Sequence, residues 1–145
     1  MKLDHIGIAV KNLSQARKYF KKTYNFKPIS KIINEPAHGV NVQFFDIGYG
    51  QFGPLIELIS PNIKNSKISN FLKENEGQVH HLAYYVDDII KESLGLKKRG
   101  MLAISDIVPG AGHKKTRTMW LISEKKELIE LIEQKKNTKF HNRLT

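Results

Sequence analysis

Two histidines and two glutamates recur in this chain at matching places, and together they form the donor set of a divalent-metal site. His5 opens the stretch HIGIAVKNLS at 5–14, and His81 opens HLAYYVDDII at 81–90. Glu57 is the centre of LIELI at 55–59, and Glu130 is the centre of LIELI at 128–132. The offsets are 76 and 73 residues and run in the same order, so two half-chains share one plan. A glutamate flanked by Leu and Ile in mid-strand is costly to bury unless it is paired, protonated or bound to a cation. A lone strand histidine or buried glutamate is commonly structural. The same pair in both halves makes accident a poor explanation. Neutral imidazoles with carboxylates suit borderline ions such as Zn, Ni, Co or Mn. The chain has no cysteine, which argues against a closed structural zinc site. Four such ligands can leave positions open, where a substrate oxygen could be polarised.

The elements that must position these residues follow from local patterns. LDHIGIAV at 3–10 alternates and is rich in branched residues, which predicts a strand. Asn12 is placed to cap a helix carrying Leu13, Ala16, Phe20 and Tyr24 near helical spacing. PISKII (28–33), VNVQFF (40–45) and PLIELI (54–59) predict three more strands, punctuated by Gly39, Gly48, Gly50 and Gly53. A short helix around SKISNFLKE should connect the halves, with Gly77 closing the linker. The order then repeats: strand HHLAYYV (80–86), a helix capped by Asp87 and closed at Gly100, and strands MLAISD, RTMWLI and KELIELIE. The expectation is an α+β fold of one domain over 1–145. It comprises a βαβββ module at 3–60, a linker helix at 62–77, a second module at 78–134 and a basic tail at 135–145. Side chains on a strand alternate faces. His5 should therefore share a face with Gly7 and Ala9, and His81 with Ala83 and Tyr85, leaving the greasier face of each strand for a helix.

Composition limits the function classes. With 145 residues, 40% hydrophobic and 26% charged, the chain can bury a real core. No apolar stretch approaches the roughly 18 residues of a membrane span. The start, MKLDHIGIAV, is too short and too soon polar for a secretory signal. A cytoplasmic protein is expected, with no membrane partner. The formal charge of +10 favours phosphate-bearing ligands. No helix-turn-helix, zinc-finger or aromatic RNA-binding signature accompanies it, so nucleic acid is not the expected partner.

The two βαβββ halves and the four placed ligands resemble the vicinal oxygen chelate superfamily, the glyoxalase/bleomycin resistance/dioxygenase fold. Its members include glyoxalase I, methylmalonyl-CoA epimerase and extradiol dioxygenases. The resemblance covers nearly all of 3–134. It implies a curved mixed sheet around a metal-binding pocket, with His5, Glu57, His81 and Glu130 as ligands. Extradiol dioxygenases use two His and one Glu, so the second Glu points away from them. Four stretches look most like the epimerase branch: DHIGIAVKNL, ELISPNIKNSKISNFL, HHLAYYVDDI, and PGAG at 109–112 leading to LIEL. That branch commonly shows a turn from Glu57 to Pro61, a polar residue at Ser66 and a His pair at His80–His81, of which the second is the ligand.

What the resemblance implies is proton transfer alpha to the carbonyl of an acyl-CoA or acyl-carrier thioester, with methylmalonyl-CoA as the leading substrate and a divalent metal as cofactor. Glu130 and Glu57 are the candidate catalytic carboxylates. Gln43, Tyr85, His113, Lys114 and Arg117 are candidate substrate-binding residues, the basic ones for coenzyme phosphates. Some epimerases carry a further acid in or just before the third strand. This chain has Ala37, His38, Val42 and Gln43 there, with Glu35 nearby, and Gln43 cannot act as a base. The resemblance also implies a homodimer. A glyoxalase I-like lactoylglutathione lyase is the alternative enzyme, and a non-catalytic small-molecule binder is the alternative outside enzymes.

Overall fold

A G1-type bulge starts the second repeat. Gly77, at φ 78°, donates to the Ala9 carbonyl (2.8 Å), and the Ala9 amide donates to the Gln78 carbonyl (3.2 Å). Glycine supplies the left-handed conformation this pattern requires. The computed structural model describes residues 1–50, 53–110 and 116–134. The chain divides into two units, His5–His80 and Met1–Asp4 with His81–Thr145, termed here the first and second units.

The first unit carries the larger part of β1 (Lys2–Ala9), together with α1 (Leu13–Tyr24), β2 (Lys27–Pro28), β3 (Ile33–Glu35), β4 (Val40–Asp46) and β5 (Leu55–Pro61). The strand order is β2-β4-β5-β1, with β3 also on β4. β1 runs parallel to β5, and β4 antiparallel to it, so the sheet is mixed. Asn12 caps α1 as its sequence implies, its side chain accepting from the Gln15 amide at 3.0 Å. Val10, Leu13, Phe45, Ile56 and Leu58 form the core, joined by Ile6, Ile8, Ala16 and Phe20. Helix α1 thus covers the Ile6–Ile8–Val10 face, as strand alternation predicts.

The second unit repeats the plan with β6 (Val79–Val86), α2 (Ile89–Lys98), β7 (Leu102–Ala103), β8 (Val108–Pro109), β9 (Thr116–Ile122) and β10 (Leu128–Gln134). Its order is β6-β10-β9-β7, with β8 on β9. β6 is parallel to β10 and β9 antiparallel to it. Val86, Ile89, Leu96, Met119, Leu121, Ile129 and Leu131 make the core under α2. Glu133 serves this helix too: it accepts from the Ile89 amide (3.0 Å) and pairs with Arg117 (2.6 Å). That guanidinium holds the Glu133 carboxyl below its usual range. An anion at the helix start also suits the dipole.

Four local expectations are corrected. PISKII is not one strand: β2 and β3 flank an interruption at 29–32, because the Ser30 side chain takes the Phe44 amide that a continuous ladder would use. MLAISD is likewise broken, with only Leu102–Ala103 in β7, and Ser105 takes the Trp120 amide. The linker holds only a 3-10 turn at Phe71–Lys73, too short to be the helix expected over 62–77. Helix α2 is capped by Asp88, not Asp87; its side chain accepts from the Lys91 amide at 2.9 Å. Aligning the repeats by their histidines puts Asp88 opposite Asn12, the cap of α1.

Candidate metal centre

Register decides which side chains can meet. In the first unit Gly7 pairs with Glu57, and Glu57 with Phe44. His5, two residues before Gly7, shares their face. His5 Nε2 and Glu57 Oε2 stand 3.6 Å apart. Two donors held about 2.1 Å from one ion lie roughly 3–3.5 Å apart, so this spacing needs little adjustment to share a cation. His5 is 1% and Glu57 6% exposed. A carboxylate this dry needs a compensating positive charge or proton.

The second unit builds the same pair. Glu130 is opposite Ala83 on β6 and Trp120 on β9, so it shares the face of His81. His81 and Glu130 offer ligand atoms within 4.8 Å of each other. His81 is buried, whereas Glu130 keeps partial exposure. The structure therefore brings His5 to Glu57 and His81 to Glu130, each pair on the face away from its helix.

The candidate substrate-binding residues scatter. Tyr85 lies on the His81 face, buried against Ala83 and Ile132. Gln43 pairs with Leu58 on β5, which places it on the opposite face from Glu57. There its Nε2 donates to the Ser30 carbonyl at 2.9 Å, a structural duty. Arg117 pairs with Glu133 on the α2 side of its sheet, facing away from Glu130. His113 and Lys114 lie outside the described residues. Near β4, His38 Nδ1 and Glu35 Oε2 are 3.4 Å apart, an ion-pair partnership only if His38 is protonated.

His80 is distinct from its neighbour. Its ring meets Phe71 edge-on, with centroids 5.0 Å apart. Burial, then the nearby His38, holds its pKa down at about 4. Above pH 6.5 His80 is neutral folded and unfolded. Between 6.5 and about 4 only the unfolded chain gains the proton, so stability falls as pH falls through that window. His80→Gln should remove on the order of 1–2 kcal/mol of this acid sensitivity, given the ring's partial exposure. Urea unfolding at pH 7 and pH 4.5 measures it.

Phe44 and Trp120 are residues that motif reading underrates. Phe44 meets the His5 ring at a centroid distance of 5.2 Å, planes at 82°. Trp120 meets the His81 ring at 4.7 Å, planes at 70°. A signal for them exists: the dipeptide Ile-Ser at 29–30 returns at 104–105, marking the broken strand beside each aromatic.

Comparisons with known proteins agree with this architecture. A sequence model of the Glyoxalase/Bleomycin resistance protein/Dioxygenase superfamily matches residues 4–119. The human mitochondrial methylmalonyl-CoA epimerase is 32% identical over 115 residues, covering 79% of this chain and 62% of the relative. The chain thus spans about three fifths of the length of that relative. The ethylmalonyl-CoA/methylmalonyl-CoA epimerase of Cereibacter sphaeroides is 32% identical over 112 residues, 77% of this chain and 80% of the relative. Among solved structures, a Bacillus halodurans protein superposes with TM-score 0.80 at 29% identity, covering 95% of this chain and 97% of that one. The Mycobacterium tuberculosis methylmalonyl-CoA epimerase gives 0.79 at 22% identity, covering 93% and 89%, a likeness of fold. Among the described residues no helix is long and apolar enough to cross a membrane. With its α+β halves, its paired His and Glu residues and a family match over most of its length, this chain belongs to the Glyoxalase/Bleomycin resistance protein/Dioxygenase superfamily.

Proposed function

We propose that this chain is a divalent-metal-dependent epimerase acting on an acyl-CoA thioester, with methylmalonyl-CoA as the leading substrate. The observation that carries the reading is the His/Glu pair built twice on helix-free sheet faces, in a chain related to epimerases of that substrate class. In this reading His5, Glu57, His81 and Glu130 are the ligands for an ion of the Zn, Ni, Co or Mn type. The donor set fits: two buried imidazoles ligate in the neutral form, and two carboxylates offset the ion's charge. When bound, the ion supplies Lewis acidity to a thioester carbonyl.

The chain's own residues divide the remaining work. Glu57 is dry and close to His5, which suits a fixed ligand. Glu130 retains solvent contact, which suits the carboxylate that takes the alpha proton from one face; inversion follows when a solvent-exchangeable proton is delivered to the opposite face. Burial of both imidazoles keeps water from competing for their ring nitrogens. The reading includes a cytoplasmic, homodimeric enzyme. A cysteine-free chain places no demand on an oxidising compartment.

The test is solvent-proton exchange. Methylmalonyl-CoA is incubated in deuterated water with the full chain and a panel of divalent metals, and its mass is followed. Metal-dependent gain of one deuterium is the expected result. Absence of exchange above background with every metal removes the epimerase reading. Turnover of a glutathione hemithioacetal instead would favour the lyase, and tight binding without turnover a binder.

A further inference from the structure

The two histidines are held by a device that is itself duplicated. In the first unit Phe44 stands opposite Glu57 on the adjacent antiparallel strand and meets His5 edge-on. In the second unit Trp120 stands opposite Glu130 and meets His81 edge-on. Each aromatic is tied by its backbone to an interrupted edge strand. The Phe44 amide donates to Ser30 Oγ at 3.0 Å, and the Ile29 amide donates to the Phe44 carbonyl at 3.0 Å. The Trp120 amide donates to Ser105 Oγ at 2.9 Å, and the Ile104 amide donates to the Trp120 carbonyl at 3.0 Å. Even the serine hydroxyls match. Ser30 donates to the Lys31 carbonyl and Ser105 to the Asp106 carbonyl, at 2.8 and 2.9 Å.

We propose that Phe44 and Trp120 are positioning residues that fix the His5 and His81 imidazoles for metal ligation, each aromatic being set by a serine of the broken edge strand. This rests on the metal reading above. An imidazole on a strand can rotate about two side-chain torsions, and a ligand needs its lone pair aimed at one point. The perpendicular approach of a second ring restricts that rotation through contact and quadrupole alignment. Outer-shell partners that hydrogen-bond a ligating histidine are worth about 10–100-fold in metal affinity, and a ring contact that only limits rotation should fall at the low end of that range.

The halves differ in one respect that extends the inference. Phe44 is buried and seals its half, whereas Trp120 keeps partial exposure beside the partly exposed Glu130. Trp120 therefore also forms a wall that a bound acyl group would touch, on the side where Glu130 can move a proton.

The experiment is histidine-selective isotope labelling of the full chain, with NMR relaxation of the His81 ring in metal-free protein. Metal affinity is measured separately by competition with a chromophoric chelator. Wild type and Trp120→Phe should show one ordered His81 ring and similar affinities. Trp120→Leu should show a motionally averaged ring and an affinity lower by about 10-fold. Ser105→Ala, a milder change at a half-buried surface, should loosen the ring partially. An equally ordered ring in Trp120→Leu overturns the proposal. If Trp120→Leu does not fold, an unchanged ring in Ser105→Ala overturns it instead. A wild-type chain that binds no metal, with the ring still loosened by Trp120→Leu, removes the metal reading and leaves the positioning role standing.

Discussion

Glu130→Gln is expected to lower alpha-proton exchange on methylmalonyl-CoA by about 10³-fold while leaving much of the metal binding in place. An amide oxygen can still ligate, but it cannot accept a proton at neutral pH. Glu57→Gln should cost less in turnover, because the buried residue in this scheme only ligates. Its loss should show first as weaker metal affinity, of the order of 10-fold. The physical basis is the difference in burial: both carboxylates sit at the centre of LIELI, but Glu57 is buried whereas Glu130 keeps partial exposure. Deuterium incorporation at saturating metal separates the two effects. Equal loss of turnover in both variants, with metal bound, would contradict the division of roles.

Saturating divalent metal should raise the melting temperature by about 10 °C. At a free metal concentration near 1,000 times its dissociation constant, linkage supplies about 4 kcal/mol. For a chain of this size each kcal/mol moves the midpoint by roughly 2–4 °C. The buried Glu57 gives the ion an additional effect, because the cation offsets a charge that burial otherwise penalises. Chelation should reverse the gain. The same melts decide how the pairs cooperate. If the four residues share one ion, His5→Ala and His81→Ala should each remove most of the stabilisation. If each unit holds its own ion, each variant should keep about half of it and mass spectrometry should count two metals. No midpoint shift with any ion of the Zn, Ni, Co or Mn class would sink the metal reading.

The repeat was the part of this molecule most open to reading without coordinates. HIGIAV and HLAYYV each alternate one sparse and one greasy face, and that alone sends Ile6, Ile8 and Val10 toward α1. The cap at Asn12 and the strands around LIELI follow from equally local rules. The weaker inferences concerned residues whose role depends on a neighbour distant in sequence. Gln43 is polar and close to a predicted site strand, but one step of register sends it to the opposite face and into a bond with Ser30. Arg117 belongs to the basic cluster after PGAG and so suggests a phosphate ligand, yet Glu133, 16 residues later, claims it.

The sequence by itself determines the two-fold plan, the α+β class and which four candidate metal donors repeat, because alternation and duplication are visible in a linear string. Only the tertiary structure decides that His5 reaches Glu57 and that His81 reaches Glu130 within their units. It alone also shows that PISKII and MLAISD are broken where a serine takes over a backbone amide, and that an aromatic ring braces each histidine. The reason is geometric. Strand register and ring orientation arise from pairing between segments that lie 14 to 52 residues apart in these contacts, and no local pattern encodes that distance.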